Sequence, residues 1–255
     1  MKLATWNVNS LKVRLPHLLT WLTANAPDVV CLQETKTEDT SFPVADIQAA
    51  GYRLLYSGQK TYNGVAILSR AAGADVLAGI PDFADEQKRV LAATVEGIRV
   101  ICVYVPNGES VESDKYRYKL AWLDALQGWL AQQLKQYPRL ALLGDYNIAP
   151  EARDVHDPRL WEGKVLFSEP ERAAFRGMLQ LGMKDSFRLF DQPDKAYSWW
   201  DYRMNAFKRN LGLRIDHILL SDELATYCKA TSIHKDVRAL ERPSDHAPVV
   251  AELVP

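Results

Sequence analysis

Short apolar runs dominate this chain, and most of them have the length and residue types of buried β-strands. We predict ten strands, at residues 2–8, 29–33, 52–56, 64–69, 90–95, 99–105, 140–145, 196–201, 214–220 and 247–254. Helical spacing of apolar side chains occurs at 15–24, 116–134 and 169–181. Because several predicted strands follow one another without a helix, the pattern favours a mixed, largely antiparallel α/β sandwich with helices outside over a purely parallel fold.

Length and composition indicate one domain over residues 1–255. A chain of 255 residues with 47% apolar content can bury one large core. We expect a cytoplasmic, unprocessed protein with no membrane contact, because there is no 18-residue apolar run and the first ten residues resemble a strand rather than a leader. The cysteines, of which Cys31 and Cys102 lie in strand-like runs, are predicted to be buried free thiols.

The net charge of −1 predicts no general attraction to polyanions. Binding of nucleic acid would therefore need a local basic face or bound cations. Two segments could supply such a face: residues 203–214, with four positive charges and no acid, and residues 115–119, with three basic side chains. The alternative is a solvated loop with tryptophans in the core. The residues that we predict to contact DNA are Lys60, Lys115, Arg203, Lys208 and Arg209.

Acids and amides stand at the ends of several predicted strands. Glu34 directly follows the second strand, Asn7 lies at the end of the first, and Asp245 precedes the last. Mg²⁺ prefers oxygen ligands and usually takes only one or two carboxylates while keeping several waters. Glu34 alone could be a solvated loop residue, but the three together predict a cation site.

Asp145 and Asn147 are two residues apart after the run 140–143, so in extended geometry both side chains point to one face. One could hold or deprotonate a water while the other donates a hydrogen bond to a phosphate. A simple turn is the alternative for this pair.

Asp216 and His246 could form a carboxylate–imidazole pair that stabilises a cationic ring next to a phosphate. His217 follows Asp216 in a strand and should face the opposite side as a packing residue. The segment around His246 could equally be a turn before the last strand.

The sequence contains no serine elbow, P-loop or zinc-ligand spacing, so it argues against covalent serine catalysis, nucleotide triphosphate hydrolysis and zinc chemistry.

Eight segments, in order along nearly the whole chain, resemble the bacterial exonuclease III family of apurinic/apyrimidinic endonucleases. These are Trp6-Asn7-Val8-Asn9-Ser10-Leu11, Leu32-Gln33-Glu34-Thr35-Lys36, Gly64-Val65-Ala66, Tyr104-Val105-Pro106-Asn107-Gly108, Gly144-Asp145-Tyr146-Asn147-Ile148, Trp199-Trp200-Asp201-Tyr202-Arg203, Leu213-Arg214-Ile215-Asp216 and Ser244-Asp245-His246-Ala247-Pro248. The resemblance implies a four-layered sandwich of two packed mixed β-sheets flanked by helices, with Mg²⁺, or Mn²⁺ as a substitute, at one edge.

The resemblance also implies roles for individual residues. The implied metal ligands are Glu34 as the principal one, with Asn7, Asp145, Asn147, Asp245 and His246. The implied catalytic residues are Tyr104, Asp145, Asn147, Asp216 and His246. Asp145 would activate water, and either Asp216 or Asp245 would orient His246; whether Asp145 or His246 is the base stays open.

The implied substrate is double-stranded DNA with abasic sites or blocked 3′ ends, and no obligate protein partner is expected. Cleavage would occur 5′ to an abasic site, beside 3′-phosphatase, 3′-phosphodiesterase and 3′→5′ exonuclease activity. Trp199 and Leu213, with Trp200 beside them, would line a pocket for the extruded abasic sugar. Residues 165–167 depart from the family by being bulky, so a 3′-end-processing enzyme with little abasic-site activity is one alternative. A phosphatase for non-DNA phosphoesters and a catalytically silent DNA-binding module are two others.

Overall fold

The computed structural model describes residues 1–254, and two six-stranded β-sheets form its centre. The strands are β1 (Lys2–Asn7), β2 (Val29–Gln33), β3 (Arg53–Ser57), β4 (Val65–Ser69), β5 (Gly73–Ala78), β6 (Val90–Val95), β7 (Ile98–Tyr104), β8 (Leu140–Asp145), β9 (Met183–Asp185), β10 (Trp199–Trp200), β11 (Gly212–Leu213), β12 (Asp216–Ser221), β13 (Cys228–Ile233) and β14 (Val249–Leu253). The α-helices are α1 (Leu11–Asn25), α2 (Val44–Ala49), α3 (Asp114–Gln136), α4 (Pro158–Trp161), α5 (Glu169–Gln180) and α6 (Asp222–Ala225).

Both large sheets are mixed, as predicted. The first has the strand order β13-β14-β1-β2-β4-β3, and the second has the order β5-β6-β7-β8-β12-β9. One pair in each sheet, β1–β2 and β7–β8, is parallel, and the other neighbours pair antiparallel. A small ribbon, β10–β11, borders the site described below.

Alternating side chains on each strand separate the molecule into four layers. On β1, Leu3 belongs to the core between the sheets and Ala4 to the core beneath α1. On β8, Leu143 faces the core between the sheets and Leu142 faces α3 and α5. This period of two confirms the α/β sandwich, because each sheet buries one face against the other sheet and one against helices.

Several predicted boundaries were wrong. The strand predicted at 196–201 is only the two residues of β10, and that predicted at 214–220 begins two residues later, at Asp216. β5 and β13 were not predicted, because most of their side chains are exposed or half-buried at sheet edges and show no apolar alternation. All three cysteines are free and buried, as predicted. Within residues 1–254, no helix is both long and apolar enough to cross a bilayer.

The topology brings several polar strand ends to one edge of the sandwich. β1 ends at Asn7 and the parallel β2 at Gln33, so Glu34 lies next to Asn7. Asp145, at the end of β8, stands directly opposite Asp216 at the start of β12. Because β14 runs antiparallel to β1, the residues before β14, including His246, return to this same edge.

Candidate active site

Asn7 joins two of the predicted acidic residues. Its Nδ2 donates to Glu34 Oε1 at 2.9 Å and to Asp145 Oδ2 at 2.8 Å. Asn7 and Asp145 are almost fully buried, whereas the Glu34 side chain retains 18% of its exposure. The amide holds two carboxylates side by side although their charges repel. This group therefore opens to solvent at Glu34.

The arrangement fits a divalent cation. Glu34, Asp145 and His246 each offer a ligand atom, and these atoms lie within 4.8 Å of one another. Carboxylate oxygens are the donors that Mg²⁺ and Mn²⁺ prefer, and an imidazole is also an acceptable ligand of Mn²⁺. Two adjacent carboxylates with a single amide donor between them have spare lone pairs that a cation would satisfy.

His246 and Asp216 form the predicted carboxylate–imidazole pair. His246 Nδ1 lies 2.9 Å from Asp216 Oδ2, and the opposite ring nitrogen, Nε2, lies 3.7 Å from Asp145 Oδ2. Ser198 donates its hydroxyl to Asp216 at 2.7 Å and accepts the backbone N–H of Asp216, which fixes this carboxylate. Of the two carboxylates that the sequence left open as the orienting group, Asp216 is the one that contacts the ring.

Burial and neighbouring charges shift the protonation of this pair. Burial opposes a charge on His246, but Asp216, Asp145 and Asp245 oppose that effect and raise its pKa to about 10. Burial is also the main reason why the pKa of Asp145 is raised, and the positive charge of His246 opposes the rise. The ring is therefore an imidazolium at neutral pH, surrounded by acids.

Asn147 and Tyr104 border the same carboxylates. Asn147 adopts a left-handed φ of 48°, and its backbone N–H donates to Asp145 Oδ1 at 2.9 Å. Burial and the charges of Glu34 and Asp145 raise the pKa of Tyr104, so the phenol is a neutral hydrogen-bond donor. Arg89 stacks on the Tyr104 ring, with its guanidinium carbon 4.6 Å from the ring centre.

Asp245 lies beside this group rather than within the set of close ligand atoms. Its Oδ1 accepts a hydrogen bond from Asn9 at 2.9 Å and its Oδ2 accepts one from the Trp199 indole at 3.0 Å. Asn9 was not assigned a role from the sequence, although it stands two residues after Asn7. Lys36 was also missed: its ammonium lies 2.9 Å from Glu34 Oε2 and donates to Asn9 at 2.6 Å.

The three residues predicted to line an abasic pocket divide between two cores. Trp199 and Leu213 pair across the β10–β11 ribbon and pack in one small cluster. Trp200 faces the other way, is 1% exposed and packs in the core beneath α1, so its side chain has no free surface toward the other two. Leu166 packs in the same cluster as Leu213, which is 0% exposed.

The predicted DNA-contacting residues are all exposed. Arg203 pairs with Asp201 at 2.8 Å, Lys115 pairs with Glu109 at 3.1 Å, and both Lys208 and Arg209 are exposed in the same loop as Arg203. Two charges of the predicted basic stretches were wrongly counted. Lys119 is 0% exposed and pairs with the buried Glu171. Arg214 is 1% exposed and binds Asp154 and Asp185, so it cannot contact a phosphate.

Lys60, one of the predicted DNA-contacting residues, lies in a groove beside the acidic group. It lines this groove, of about 430 Å³, together with Lys12 and Lys36, and Lys36 contacts Glu34. Lys12 was not predicted, because a single lysine at a helix start carries no distinctive sequence signal. Glu38 also lines the groove and pairs with Lys60 at 3.7 Å, so the groove carries three lysines and one acid.

Residues 4–246 match the endonuclease/exonuclease/phosphatase family. The match covers almost the whole chain and all of the acidic group. The chain belongs to this family. Within the family it is similar to the exodeoxyribonuclease III of Haemophilus influenzae, with 37% identity over 265 residues that cover 99% of both chains. These matches place it among the exonuclease III and apurinic/apyrimidinic endonuclease enzymes.

Two solved structures of the family have nearly the same fold as this chain. A 3′ phosphatase from Neisseria, bound to a product DNA hairpin, has a TM-score of 0.98 at 48% identity, covering 100% of this chain and 99% of that one. An apurinic/apyrimidinic endonuclease from Archaeoglobus fulgidus has a TM-score of 0.96 at 40% identity, covering 99% of each chain. Relatives with the same fold are thus named for two different activities.

Proposed function

We propose that this protein is a metal-dependent DNA phosphoesterase that releases phosphate and nucleotides from 3′ ends and cuts poorly at abasic sites. The observation that carries this proposal is that Leu166 and Leu213 lie in one small buried hydrophobic cluster, so a pocket for an extruded abasic sugar at Leu213 would have little free space. The likeness to a Neisseria 3′ phosphatase supports the same assignment.

We propose Mg²⁺ as the cofactor, with Mn²⁺ as a substitute. Glu34 would be the principal ligand, assisted by Asp145 and with Asn7 orienting both carboxylates. When bound, the ion polarises a phosphoryl oxygen and stabilises charge on the leaving oxygen. Asp245 would act indirectly, by holding Asn9 and Trp199 beside the site.

Asp145 is the base in the proposed mechanism, and His246 is a proton donor. Asp216 holds Nδ1 of His246, so Nε2 points toward Asp145 and the space where a phosphate would lie. The raised pKa of His246, about 10, leaves the ring protonated and unable to accept a proton from water. An imidazolium there stabilises the charge that develops on the phosphate, as Asn147 and Tyr104 would by hydrogen bonding.

The backbone conformation of Leu166 supports a functional role for its side chain. Its φ of 75° lies in the left-handed region, where a leucine is strained and glycine is favoured. Strain of this kind persists only when the surroundings compensate for it. Here the compensation is burial of the side chain, 5% exposed, in the cluster that also contains Leu213.

The first test is a labelled duplex with one tetrahydrofuran abasic analogue, compared with an identical duplex bearing a 3′-phosphate, each with Mg²⁺ and with EDTA. We expect metal-dependent release of the 3′-phosphate and slow incision at the analogue. Rapid metal-dependent incision 5′ to the analogue would contradict the proposed preference, and inactivity on both duplexes would favour a non-DNA phosphoester substrate.

A Leu166→Gly variant tests the cause of the preference. Removing the side chain opens space in the cluster that contains Leu213 and relieves the strained φ, so incision at the analogue should rise roughly tenfold or more relative to 3′-phosphate release. Val165→Ala is the matched control: Val165 packs against the same cluster, but its Cγ2 lies beside Gly108. An equal change in both variants would reject Leu166 as the determinant.

A second candidate function, abasic-site endonuclease, has one specific observation in its favour. Trp199 is fixed at the edge of the site by its bond to Asp245 and keeps part of its surface exposed, as a wall for an extruded sugar would. The Archaeoglobus fulgidus neighbour is named for that activity. Under either activity we propose that the protein works as a cytoplasmic monomer on double-stranded DNA, without an obligate protein partner.

A further inference from the structure

We propose that Lys119 and Glu171 are positioning residues that couple the loop carrying Asn147 to the loop carrying Leu166. Both side chains are 0% exposed and form a direct ion pair between α3 and α5. Both act on the acidic group through the backbone of other residues. The consequence for substrate choice rests on the function proposed above, but the coupling itself is a property of the fold.

Lys119 uses its ammonium group to hold two strand ends. Besides Glu171, Nζ donates to the carbonyl oxygen of Asn147 at 2.7 Å and to that of Asn107 at 3.1 Å. These three bonds use all the donors that an ammonium has. Asn107 follows β7 and Asn147 follows β8, and the Asn107 side chain also donates to Asn147 at 3.2 Å. Lys119 therefore fixes the carbonyl of a residue that binds Asp145 through its N–H.

Glu171 holds the other loop. Its Oε1 accepts the backbone N–H of Leu166 at 3.0 Å, and its Oε2 accepts the N–H of Ser168 at 3.0 Å as well as the Ser168 hydroxyl. The carbonyl of Leu166 in turn accepts the N–H of Ala149 at 2.7 Å, two residues beyond Asn147. Both the N–H and the carbonyl of Leu166 are therefore hydrogen-bonded. The N–H is connected to the Asn147 loop through Glu171 and Lys119, and the carbonyl is connected to it through Ala149.

A buried ion pair is not the most stabilising way to fill this space, since an apolar pair of similar volume is often as stable or more so. What the ion pair adds is a fixed geometry for the segments to which it is hydrogen-bonded. Its hydrogen bonds require the ends of β7 and β8 and the start of α5 to keep one relative position. A displacement of about 1 Å at a reacting group can cost about 10²-fold in rate, so this constraint bears on turnover.

The test is the double variant Lys119→Met, Glu171→Gln in the full chain. It removes both charges together, so no unpaired buried charge is left, and the amide introduced at position 171 can still accept an N–H group at the start of α5. Gln133→Met is the control. It removes a buried hydrogen bond, Gln133 to Arg99 at 2.9 Å, from the same helix but away from both loops.

We expect faster amide hydrogen exchange in residues 147–149 and 164–168 of the double variant than in the control. We also expect kcat for 3′-phosphate release to fall by roughly 10²-fold with KM within about threefold, because Asn147 is misplaced relative to the phosphate. The ratio of abasic incision to 3′-phosphate release should rise as Leu166 is released. Loop exchange and kinetics equal to those of the control, at equal thermal stability, would overturn the coupling.

The two proposals can fail separately. A wild-type protein that leaves a 3′-phosphate intact would overturn the proposed function alone, because hydrogen exchange reports on the two loops without any substrate. Exchange confined to α3 in the double variant, with both loops protected as in wild type, would overturn the coupling whatever the protein hydrolyses.

Discussion

Two buried groups of charged residues lie on opposite faces of β12, and they differ in charge balance. The carboxylate cluster consists of Glu34, Asp145, Asp216, Asp245 and His246; the arginine cluster consists of Asp154, Asp185, Arg188, Arg214 and His217. Asp216 and His217 are consecutive, so their side chains alternate and each enters a different cluster. In the carboxylate cluster four acids face one imidazolium, and Glu34 also has a lysine partner, Lys36.

The arginine cluster is neutral overall. Arg214 binds Asp154 at 2.7 Å and Asp185 at 2.7 Å, and Arg188 also pairs with Asp154. Burial would lower the pKa of Arg214, but the two aspartates oppose it and raise the pKa instead. His217 is a neutral ring whose Nδ1 accepts from Arg214, so its single N–H, at Nε2, donates to the carbonyl of Ile148 at 2.8 Å.

The comparison indicates that the carboxylate cluster is a binding site and that the arginine cluster stabilises the fold. Buried acids without matching cations are costly, so the carboxylate cluster is suited to a cation from outside the chain. The arginine cluster is already complete, and its bonds join β9, β12 and the loop at Asp154. Mutations in the first should affect activity, whereas mutations in the second should affect stability.

The largest expected effect is on turnover. Asp145→Asn or His246→Ala should lower kcat for 3′-phosphate release by about 10³-fold, or about 4 kcal/mol, because each removes a proton-transfer or charge-stabilising group. The midpoint of thermal unfolding should stay the same or rise for Asp145→Asn, since burial disfavours a charge at this position and raises the pKa of Asp145. Turnover within about tenfold of wild type on folded protein would remove these assignments.

The next effect concerns the stability of the arginine cluster. Asp154→Asn should lower the free energy of unfolding in urea by about 3 kcal/mol or more, because Arg214 and Arg188 lose a buried partner. Asp222→Asn is the control, since Asp222 forms an exposed pair with Lys184. Loss of turnover in folded Asp154→Asn protein, without loss of stability, would break the distinction between the clusters.

His217 makes the arginine cluster sensitive to acid. Burial first, and then the charge of Arg214, lowers its pKa to about 4, whereas an unfolded histidine titrates near 6.5. The stability that this ring contributes is complete above about pH 6.5 and is lost as the pH falls toward 4, by about 3 kcal/mol. His217→Gln, which retains a donor and an acceptor, should show a shallower pH dependence of urea unfolding over that range. Identical slopes would mean that another group takes up the proton that destabilises the protein.

The smallest expected effect is stabilisation by the metal. Mg²⁺ at about a hundred times its dissociation constant should stabilise the wild-type protein by about 2.7 kcal/mol against unfolding. Glu34→Gln should abolish most of this gain, whereas Asp154→Asn should retain it, because the ligand set lies in the carboxylate cluster. Equal stabilisation of both variants would mean that the ion binds elsewhere.

Much of the fold could be predicted because its central strands are short, nearly continuous apolar runs that are buried on both faces. Glu34, Asp145 and His246 could be predicted as well, since each stands next to such a run. The roles of Asn9 and Lys36 were missed, although both lie in recognised segments, because their partners are distant in sequence or depend on left-handed backbone turns at these residues. Arg214 was wrongly assigned to an exposed basic loop because sequence alone does not distinguish an exposed arginine from a buried one.

Local sequence determined the strand pattern, the acids at the strand ends and the family of the chain, because each of these depends on neighbours within a few residues. Tertiary structure decided which carboxylate orients His246, which charges are balanced, and that Leu166 and Leu213 share one buried cluster. Those properties depend on distances between strands and loops far apart in the chain. Charge compensation and packing are set by these distances, and neither can be read from residue types alone.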